Sequence, residues 1–393
     1  MRRPLLRWFA LSATAVMVLG LGVALGSAQA SALEWSPGTT DHGSLSLSGG
    51  APVLVLEGPP AAQGQAMGTL TDAPLRKLIR VIRLGQVFAD GERLKRLRAA
   101  VPPAIAEELV AAATAAGVDP EALITANLVV DSHCSALVAP PIGGQPLRVA
   151  RNMDFFPAKL LGPGTVLTVW RRPGVRTVIG VGWPGYAGIV SGMNDAGLSV
   201  CILLQHGAPE EADGIPLAFR LRQVLETCTS VEEAAAALKT QPPASRHYVL
   251  LADATTSAVV WREGDRQHRD DPQEGWLMAS NGPRQSGLPQ DVRGRCLTEL
   301  GGVCRTSGAP PTEAWLRRAL TASYMKGINA QAMILIPERR ELQLATGSGW
   351  KPAALSPWRT YDLRPLFARE IQVTAQDLGR VEDPLPWGAV EKP

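Results

Sequence analysis

The pattern of apolar residues changes at Cys134, and this change restricts the folds open to the chain more than any other feature of its sequence. Before Cys134, apolar residues recur at helical spacing over residues 75–97 and 104–116. Gly117 predicts the end of the second helical stretch, and Asp119-Pro120-Glu121 predicts the start of another. The part of the chain before Cys134 is therefore predicted to be mainly helical.

Two shorter features precede these helices. Residues 53–56 are predicted to form a strand, and Gly64 and Gly68 predict a tight turn from that strand into a helix. Residues 31–50 are rich in Ser, Gly and Thr, so we expect them to form a loose leader.

After Cys134, short β-type runs are separated by glycine and proline turns, and helical segments stand between blocks of strands. The predicted strands cover residues 147–152, 166–171, 177–183, 188–193, 198–204, 248–251, 257–261, 277–279, 332–336 and 341–345. The predicted helices cover residues 216–226, 231–238, 292–300 and 312–320. Such alternating blocks indicate an α+β fold rather than βαβ winding. We expect the proline-rich tail after residue 378 to lie on the surface.

The chain opens with basic residues and a long apolar stretch. Arg2, Arg3 and Arg7 come before an apolar run over residues 8–25, and Ala28-Gln29-Ala30 then supplies small residues. This order is typical of a secretory signal peptide over residues 1–30, and the paired arginines loosely resemble a twin-arginine signal. The alternative is an uncleaved membrane anchor, because the apolar run approaches the ~20 residues that span a bilayer. In either case the rest of the chain is expected outside the cytoplasm, secreted or periplasmic.

Charge and metal-ligand patterns exclude two classes of function. The formal charge of +3 equals the three arginines of the opening segment, and the remaining chain has 36 basic and 36 acidic residues. A neutral chain without a basic run offers little to a phosphate backbone, so nucleic-acid binding is not expected. The sequence has no CxxC motif and no Cys/His cluster of zinc-site spacing, so we expect neither a metal nor another cofactor.

The five cysteines are an odd number for an exported protein, so at least one thiol is free, reactive or paired with another molecule. Cys201 alternates with apolar residues in a predicted strand and is expected in the core, and Cys228 ends a predicted helix. Cys296 and Cys304 lie on either side of two glycines and could close a disulfide loop. Two separate thiols are the alternative for this pair.

Cys134 has neighbours that suit a nucleophile. A predicted strand about seventeen residues later carries Arg151 and Asp154. If the peptide bond after His133 is cut, Cys134 gains a free α-amine beside its thiol, with reference pKa values of about 7.7–8.0 and 8.5. Such a residue combines a nucleophile with its own base. The alternatives are an inert buried cysteine and a cross-strand ion pair of Arg151 with Asp154.

Further motifs surround Cys134 in a fixed order. They are Leu56-Glu57-Gly58-Pro59, Gly64-Gln65-Ala66-Met67-Gly68, Cys134-Ser135, Arg151-Asn152-Met153-Asp154-Phe155, Trp183-Pro184-Gly185 and Gly192-Met193-Asn194-Asp195-Ala196-Gly197-Leu198. With these motifs, about residues 51–350 resemble the peptidase C45 branch of the N-terminal nucleophile (Ntn) hydrolases. That branch includes the acyl-CoA:6-aminopenicillanic acid acyltransferase, and it is related to choloylglycine hydrolases and acid ceramidase.

The resemblance implies a four-layer αββα Ntn-hydrolase sandwich with two antiparallel sheets. It also implies autocatalytic cleavage into a helical light chain, residues 31–133, and a catalytic heavy chain, residues 134–393. In this comparison Cys134 is the nucleophile and Arg151 lies beside its sulfur. Asp154 accepts a hydrogen bond from the freed α-amine.

Two more residues match the family's site. Asn281, in Ala279-Ser280-Asn281-Gly282, matches an asparagine that helps to bind the oxyanion, although Asn-Gly is also a common turn dipeptide. Arg293 matches an arginine that opens a helix, with Arg295 as the competing choice and a surface arginine as the alternative for both. The chain departs from related bile salt hydrolases at Leu204, which replaces their second oxyanion asparagine. Gln205 or backbone N–H groups would then complete the oxyanion hole.

Together these features predict an exported, self-processing cysteine hydrolase that cleaves small N-acyl amides through an acyl-enzyme on Cys134. An amine in place of water would give acyl transfer from the same intermediate. The alternatives are an ester or lipid hydrolase on the same fold and a non-catalytic secreted binding protein, and membrane contact is expected only if the N-terminal segment stays uncleaved. A hydrophobic acyl pocket is predicted from apolar residues near the nucleophile, which could also simply fill the core: Leu137, Phe155, Phe156, Trp170, Trp183 and Tyr186.

Overall fold

The computed structural model describes residues 33–47, 50–86, 91–128, 132–206, 214–264, 266–308, 310–368 and 381–382. The predicted signal peptide, residues 1–30, and most of the proline-rich tail lie outside the described residues. Within the part that is described, no single helix is long and apolar enough to cross a membrane. The helical segments Glu92–Ala99 and Pro103–Ala116 meet at a bend of 108°, and together they have the length and apolar composition of a membrane span.

The segment before Cys134 is mainly helical, as predicted. Its helices are α1 (Pro60–Leu70), α2 (Asp72–Gln86), α3 (Gly91–Ala99), α4 (Pro103–Ala116) and α5 (Pro120–Leu128). Gly117 ends α4 with a φ of 66°, a left-handed conformation that glycine adopts without a steric penalty.

The predicted turn at Gly64 and Gly68 is wrong, because both glycines lie inside α1. They face α4 at very short range. A Cβ atom on Gly64 would lie 2.0 Å from the carbonyl oxygen of Glu108, and one on Gly68 would lie 2.2 Å from that of Ala112. The two glycines therefore allow close packing of two helices, in place of the tight turn that we expected from them.

Most of the remaining described residues form strands. In chain order these are β1 (Gly38–Thr40), β2 (Gly43–Ser46), β3 (Val53–Glu57), β4 (His133–Ala139), β5 (Arg148–Asp154), β6 (Val166–Arg171), β7 (Val178–Gly182), β8 (Ser191–Asn194), β9 (Ser199–Leu204), β10 (Ile215–Pro216), β11 (Pro243–Ala244), β12 (His247–Ala252), β13 (Ser257–Glu263), β14 (Arg266–Asp270), β15 (Leu277–Ser280), β16 (Arg284–Gln285), β17 (Leu288–Pro289), β18 (Asn329–Ile336), β19 (Glu341–Thr346), β20 (Trp358–Asp362) and β21 (Val381–Glu382). Later helices are α6 (Ala158–Leu161), α7 (Leu217–Thr227), α8 (Val231–Thr240), α9 (Val292–Ser307), α10 (Glu313–Ser323) and α11 (Arg364–Phe367).

Two large sheets organise these strands. One has the order β1-β2-β3-β6-β7-β8-β9-β12-β13-β14, and the other has the order β15-β4-β5-β18-β19-β20-β21. Within these two sheets, neighbouring strands are antiparallel except β3 and β6, which are parallel because the chain crosses from one to the other through the helices and β4–β5. The prediction of two antiparallel sheets is thus confirmed apart from this one pairing.

The two sheets face each other, and helices cover their outer sides. Strand β9 contacts β4 and β15 across the interface between the sheets, where most of the core lies. Helices α7 and α8 pack on the first sheet, and α9 and α10 pack on the second, around a separate smaller core. The layers are therefore α, β, β and α, which confirms the predicted α+β sandwich.

The predicted loose leader is wrong for residues 38–46. Strands β1 and β2 form an antiparallel hairpin, and β2 joins β3 with Leu45 opposite Leu54. Leu45 is almost fully buried. A Ser- and Gly-rich composition suggested a loop, but β2 pairs with β3 and buries one apolar side chain, which is enough to order the segment.

The predicted disulfide between Cys296 and Cys304 is also wrong, since neither cysteine is in a disulfide. Both cysteines lie on α9, and the two glycines between them continue the helix. Eight residues along a helix separate two Cα atoms by about 12 Å, which is well beyond the ~7 Å that a disulfide can span. Cys201 is fully buried in the core, as predicted, and Cys228 follows the end of α7.

Candidate active site

Cys134 lies at the start of β4, in the sheet that is covered by α9 and α10. Its neighbour β5 pairs with β4 so that Cys134 is opposite Met153 and Ala136 is opposite Arg151. Side chains alternate along a strand, so Cys134 and Arg151 project from the same face as diagonal neighbours. That face is turned toward the other sheet, because Cys134 belongs to the core between the sheets.

The side chain of Arg151 contacts the sulfur of Cys134. Its Nη2 donates to Cys134 Sγ at 3.1 Å and to the Ile202 carbonyl at 2.8 Å, while Nη1 donates to the Val190 carbonyl at 3.1 Å. Both side chains are fully buried. Burial lowers the pKa of Arg151. Electrostatic attraction to the sulfur atoms of Cys134 and Cys201 raises it by more, so the pKa of Arg151 is raised overall. A fixed positive charge thus lies beside the candidate nucleophile and stabilises negative charge on its sulfur.

Asn281, just after β15, holds the backbone of Cys134. The Cys134 N–H donates to Asn281 Oδ1 at 2.7 Å, and Asn281 Nδ2 donates to the Leu204 carbonyl at 2.6 Å. Ser132 is also close, with its hydroxyl 3.4 Å from Cys134 Sγ. Asn281 therefore links β4, the strand of Cys134, to the end of β9 in the opposite sheet.

Arg293, near the start of α9, joins Asn281 to Asp154. Its Nη2 donates to Asn281 Oδ1 at 2.5 Å, and its Nη1 forms an ion pair with Asp154 Oδ2 at 2.9 Å. Asn329 Nδ2 donates to the other carboxylate oxygen at 2.8 Å. Asp154 is fully buried. Burial raises its pKa to about 6, although Asn329 and Arg293 act in the opposite direction.

The structure brings all five predicted residues into one chain of contacts that runs from Arg151 through Cys134, Asn281 and Arg293 to Asp154. One detail differs from the prediction. Asp154 was expected to accept a hydrogen bond from the freed α-amine of Cys134. In the uncleaved chain, the Cys134 N–H donates to Asn281 instead, and Asp154 forms an ion pair with Arg293. The catalytic roles of the five residues stay predictions.

The competing choice at the start of α9 is resolved. Arg295 donates to the Gln290 carbonyl in an exposed position, whereas Arg293 reaches the site. Sequence reasoning missed Asn329, which enters from β18, a strand far from Cys134 in the sequence. No local pattern marks this asparagine, and only the pairing of β18 with β5 brings it opposite Asp154.

The end of β9 contributes its backbone to the site. The Leu204 carbonyl accepts from Asn281, and the His206 N–H donates to the Asn281 carbonyl at 2.8 Å. Gln205 lies between them, and its Oε1 is buried without a hydrogen-bond partner among the described residues. The completion of an oxyanion hole by Gln205 stays a prediction.

The apolar residues predicted to line an acyl pocket fall into different places. Phe155, Trp183 and Tyr186 form a continuous cluster with ring centroids 5.6 Å and 5.8 Å apart. Trp170 instead donates to the Glu108 carboxylate. Leu137 belongs to the smaller core on the opposite face of the sheet from Cys134. The prediction is therefore wrong for Leu137, which cannot reach the face of the sheet that carries Cys134, because alternate residues of β4 point to opposite faces.

Across the described ranges, no group of three or more His, Cys, Asp or Glu side chains is arranged to hold a metal ion. The site contains a thiol, guanidinium groups, amides and a buried carboxylate. Such groups suit nucleophilic attack on a carbonyl and stabilisation of the charge that develops there.

Among solved structures, the chain is similar to an N-acylethanolamine-hydrolyzing acid amidase ortholog from Caenorhabditis elegans, at 18% identity and a TM-score of 0.45 over 52% of this chain and 93% of that one. It is also similar to a mutant conjugated bile acid hydrolase from Clostridium perfringens, at 16% identity and a TM-score of 0.44 over 63% and 95% of the two chains. Penicillin V acylase from Agrobacterium tumefaciens matches at 16% identity and a TM-score of 0.39 over 65% and 100%. No curated protein matches the sequence significantly.

A family model matches part of the sequence directly. It is the model of the acyl-coenzyme A:6-aminopenicillanic acid acyl-transferase family, and it covers residues 143–287. This range includes Arg151, Asp154 and Asn281 but neither Cys134 nor Arg293. Residues 143–287 thus have the sequence pattern of the acyl-coenzyme A:6-aminopenicillanic acid acyl-transferase family, and the resemblance predicted from the motifs is confirmed over that range.

Proposed function

We propose that this chain is an exported, self-processing amidohydrolase that uses Cys134 as its nucleophile. The observation that carries the proposal is the contact of Arg151 Nη2 with Cys134 Sγ at 3.1 Å, beside a backbone nitrogen that Asn281 holds at 2.7 Å. Burying a charge such as that of Arg151 costs several kcal/mol unless the charge is paired. A thiol that only filled the core would not need this buried cation against its sulfur.

Self-processing supplies the free α-amine. Cys134 Sγ attacks the carbonyl carbon of His133, the bond from that carbon to the Cys134 nitrogen breaks, and the thiol proton passes to the departing nitrogen. The product is a thioester between His133 and Cys134. Water then hydrolyses the thioester, which leaves a carboxylate on His133 and restores the thiol beside a new amine.

Substrate hydrolysis repeats this chemistry on an external amide. The α-amine of Cys134 takes the thiol proton, sulfur attacks the amide carbonyl, and the amine returns the proton to the leaving nitrogen. Asn281 Nδ2 can stabilise the oxyanion, and Arg293 fixes the orientation of this side chain by donating to Asn281 Oδ1. Water attacks the acyl-enzyme, and the thiol leaves.

The proposed substrates are small N-acyl amides with a hydrophobic acyl group. The cluster of Phe155, Trp183 and Tyr186 supports this choice, because Phe155 follows Asp154 directly in the chain and offers an apolar surface next to the site. Acyl transfer to an amine is a second candidate, favoured by the family model, which is that of an acyl-transferase. Both reactions share the acyl-enzyme and differ only in the acceptor.

The first test follows self-processing by intact mass spectrometry of purified protein. Wild type should yield two fragments that meet between His133 and Cys134, whereas Cys134→Ala should remain a single chain. Cys296→Ala is the matched control, because this half-exposed thiol lies on α9 and its loss should leave processing unchanged. Cleavage of the Cys134→Ala variant at the same bond would refute the proposed nucleophile.

The second test separates substrate classes. Aminocoumarin amides of increasing acyl length should show kcat/KM rising by up to about fourfold per added CH₂, if each methylene is buried. A profile that is flat or peaks at acetyl contradicts the hydrophobic pocket. Faster cleavage of matched esters than of amides favours an ester hydrolase, and product formed only when an amine acceptor is added favours acyl transfer.

A third test concerns export. Fractionation of cells that express the full chain should place the protein outside the cytoplasm, with Ser31 as its first residue if the signal peptide is removed. A membrane-bound product that retains residues 1–30 supports the anchor. A soluble cytoplasmic product that begins at Met1 contradicts export.

A further inference from the structure

His133, the residue before the proposed cleavage site, contacts a second histidine from the opposite sheet. The Nδ1 atom of His133 lies 3.1 Å from Nε2 of His206, and the two rings meet edge to face with centroids 4.9 Å apart. His206 comes two residues after the end of β9, so this pair joins β9 of one sheet to β4 of the other. Nothing in the proposed substrate chemistry uses the pair.

The backbone of His206 is itself fixed by Asn281. Its N–H donates to the Asn281 carbonyl at 2.8 Å, while the side chain of the same asparagine accepts the N–H of Cys134 at 2.7 Å. The bond to be cut joins the carbonyl carbon of His133 to the nitrogen of Cys134. Asn281 therefore holds the nitrogen side directly and the carbonyl side through His206.

The two imidazole rings are suited to share one hydrogen bond. A neutral imidazole carries one donor and one acceptor nitrogen, so the pair is complete when at least one ring is neutral. Partial burial lowers the pKa of His206, and Arg293 and Arg246 lower it further, against an opposing effect of Asp291. The neutral form of His206 is therefore favoured at neutral pH. In that form it can share a hydrogen bond with His133 whether the ring of His133 is neutral or protonated.

We propose that His206 is a positioning residue for self-cleavage, which binds the side chain of His133 and thereby keeps its carbonyl carbon within reach of Cys134 Sγ. This inference rests on the proposed self-processing. After cleavage, His133 is the last residue of the light chain and no longer carries a reacting atom. The contact between the histidines then matters for maturation and not for substrate turnover.

A double-mutant cycle on the rate of processing tests the pair. The variants are His133→Ala, His206→Ala and the double variant, each followed by intact mass spectrometry after refolding or cell-free synthesis. Each single change should slow processing by about three- to tenfold, the range expected for one neutral hydrogen bond. The double variant should be no slower than the slower single variant, because either change alone removes the same contact.

Two further variants separate positioning from a general loss of structure. His206→Gln keeps a side chain that can donate and accept, so it should restore much of the processing rate. His268→Ala removes a histidine that stacks on Trp261 away from Cys134, and it should process like wild type. Once processed, His206→Ala should turn over substrate within about twofold of wild type, as for a surface change.

The results are decisive in each direction. Slowdowns that multiply in the double variant, or a His206→Gln variant that folds but does not process, overturn the positioning role. A His206→Ala variant that processes as fast as wild type also overturns it. A wild-type chain that never processes contradicts the proposed function itself, and this outcome is distinct because it does not depend on either histidine.

Discussion

The burial of Asp154 predicts an unusual dependence of stability on pH. Its side chain is fully buried, and its pKa is raised from 3.8 to about 6 by that burial, despite the ion pair with Arg293 at 2.9 Å and the hydrogen bond from Asn329. Asp154→Asn keeps the shape and removes the charge. We expect this variant to be more stable than the parent at neutral pH, while substrate turnover falls by roughly 10²-fold because the proposed partner of the α-amine in proton transfer is lost.

The magnitude follows from the two pKa values. Between pH 3.8 and about 6 the native chain binds more protons at Asp154 than the unfolded chain does, so the stability of the parent falls as pH rises through this window. Each pKa unit is worth about 1.4 kcal/mol, so the total change is about 3 kcal/mol. Below the window, Asp154 is protonated and resembles asparagine. At pH 4 the unfolded chain is already partly ionised at this residue, so the advantage of Asp154→Asn should grow by about 2.5 kcal/mol from pH 4 to pH 7.

The assay is urea unfolding across this pH range in a Cys134→Ala background, where the chain stays uncleaved, with coincident transitions by fluorescence and circular dichroism as the check on a two-state analysis. Asp362→Asn is the matched control, because contact with Arg364 lowers the pKa of Asp362 and its variant should show a small trend of opposite sign. A difference between Asp154→Asn and its parent that stays constant from pH 4 to pH 7 refutes the reasoning. A difference that shrinks as pH rises would mean that Arg293 outweighs burial.

Two other predictions concern the segment before Cys134. Gly64→Ala should destabilise the chain by about 1–3 kcal/mol or more in urea unfolding, because the new methyl group would lie 2.0 Å from the Glu108 carbonyl oxygen. Gly302→Ala is the control. Its methyl group would meet only an Arg305 nitrogen at 3.9 Å, so this change should be neutral or stabilising. Equal effects of the two changes would contradict the close packing. Glu108→Ala leaves the fully buried Arg222, paired with Glu108 at 2.7 Å between α4 and α7, and the indole N–H of Trp170 without this acceptor, so it should cost about 3–5 kcal/mol and promote dissociation of the processed fragments in native mass spectrometry. The exposed pair of Arg269 with Glu232 is the control, since Arg269→Ala should leave stability nearly unchanged. Fragments that stay together in Glu108→Ala would argue against the role of the buried pair.

Local patterns in the sequence were sufficient for most helices and strands. The strand predicted over residues 166–171 coincides with β6, and Gly117 ends α4 as expected. Alternation of apolar residues and the freedom of glycine at positive φ act over a few residues, so both can be recognised without knowing the partner elements. The ordered motifs likewise led to Cys134 and to the four other candidate residues before any contact between them was known.

Only the tertiary structure decided what those local signals are used for. Gly64 and Gly68 were assigned to a turn because the sequence does not show that α4 lies against them. Strand β4 was missed, although it carries Cys134, because its apolar residues are buried on both faces and lack alternation. Long-range packing sets these features, and a window of neighbouring residues contains no information about it.

The same reason explains the choice between Arg293 and Arg295. Residues two positions apart on a helix are separated by about 200° around its axis, so only one of these two arginines can reach the site. The local sequence does not say which side of α9 faces the sheet. That orientation is fixed by the packing of α9 on β15, which places Arg293 between Asn281 and Asp154. The sequence by itself determined which residue types were available for the chemistry. The packing of two sheets and their helices determined which of them meet, because each contact joins segments that lie far apart in the chain.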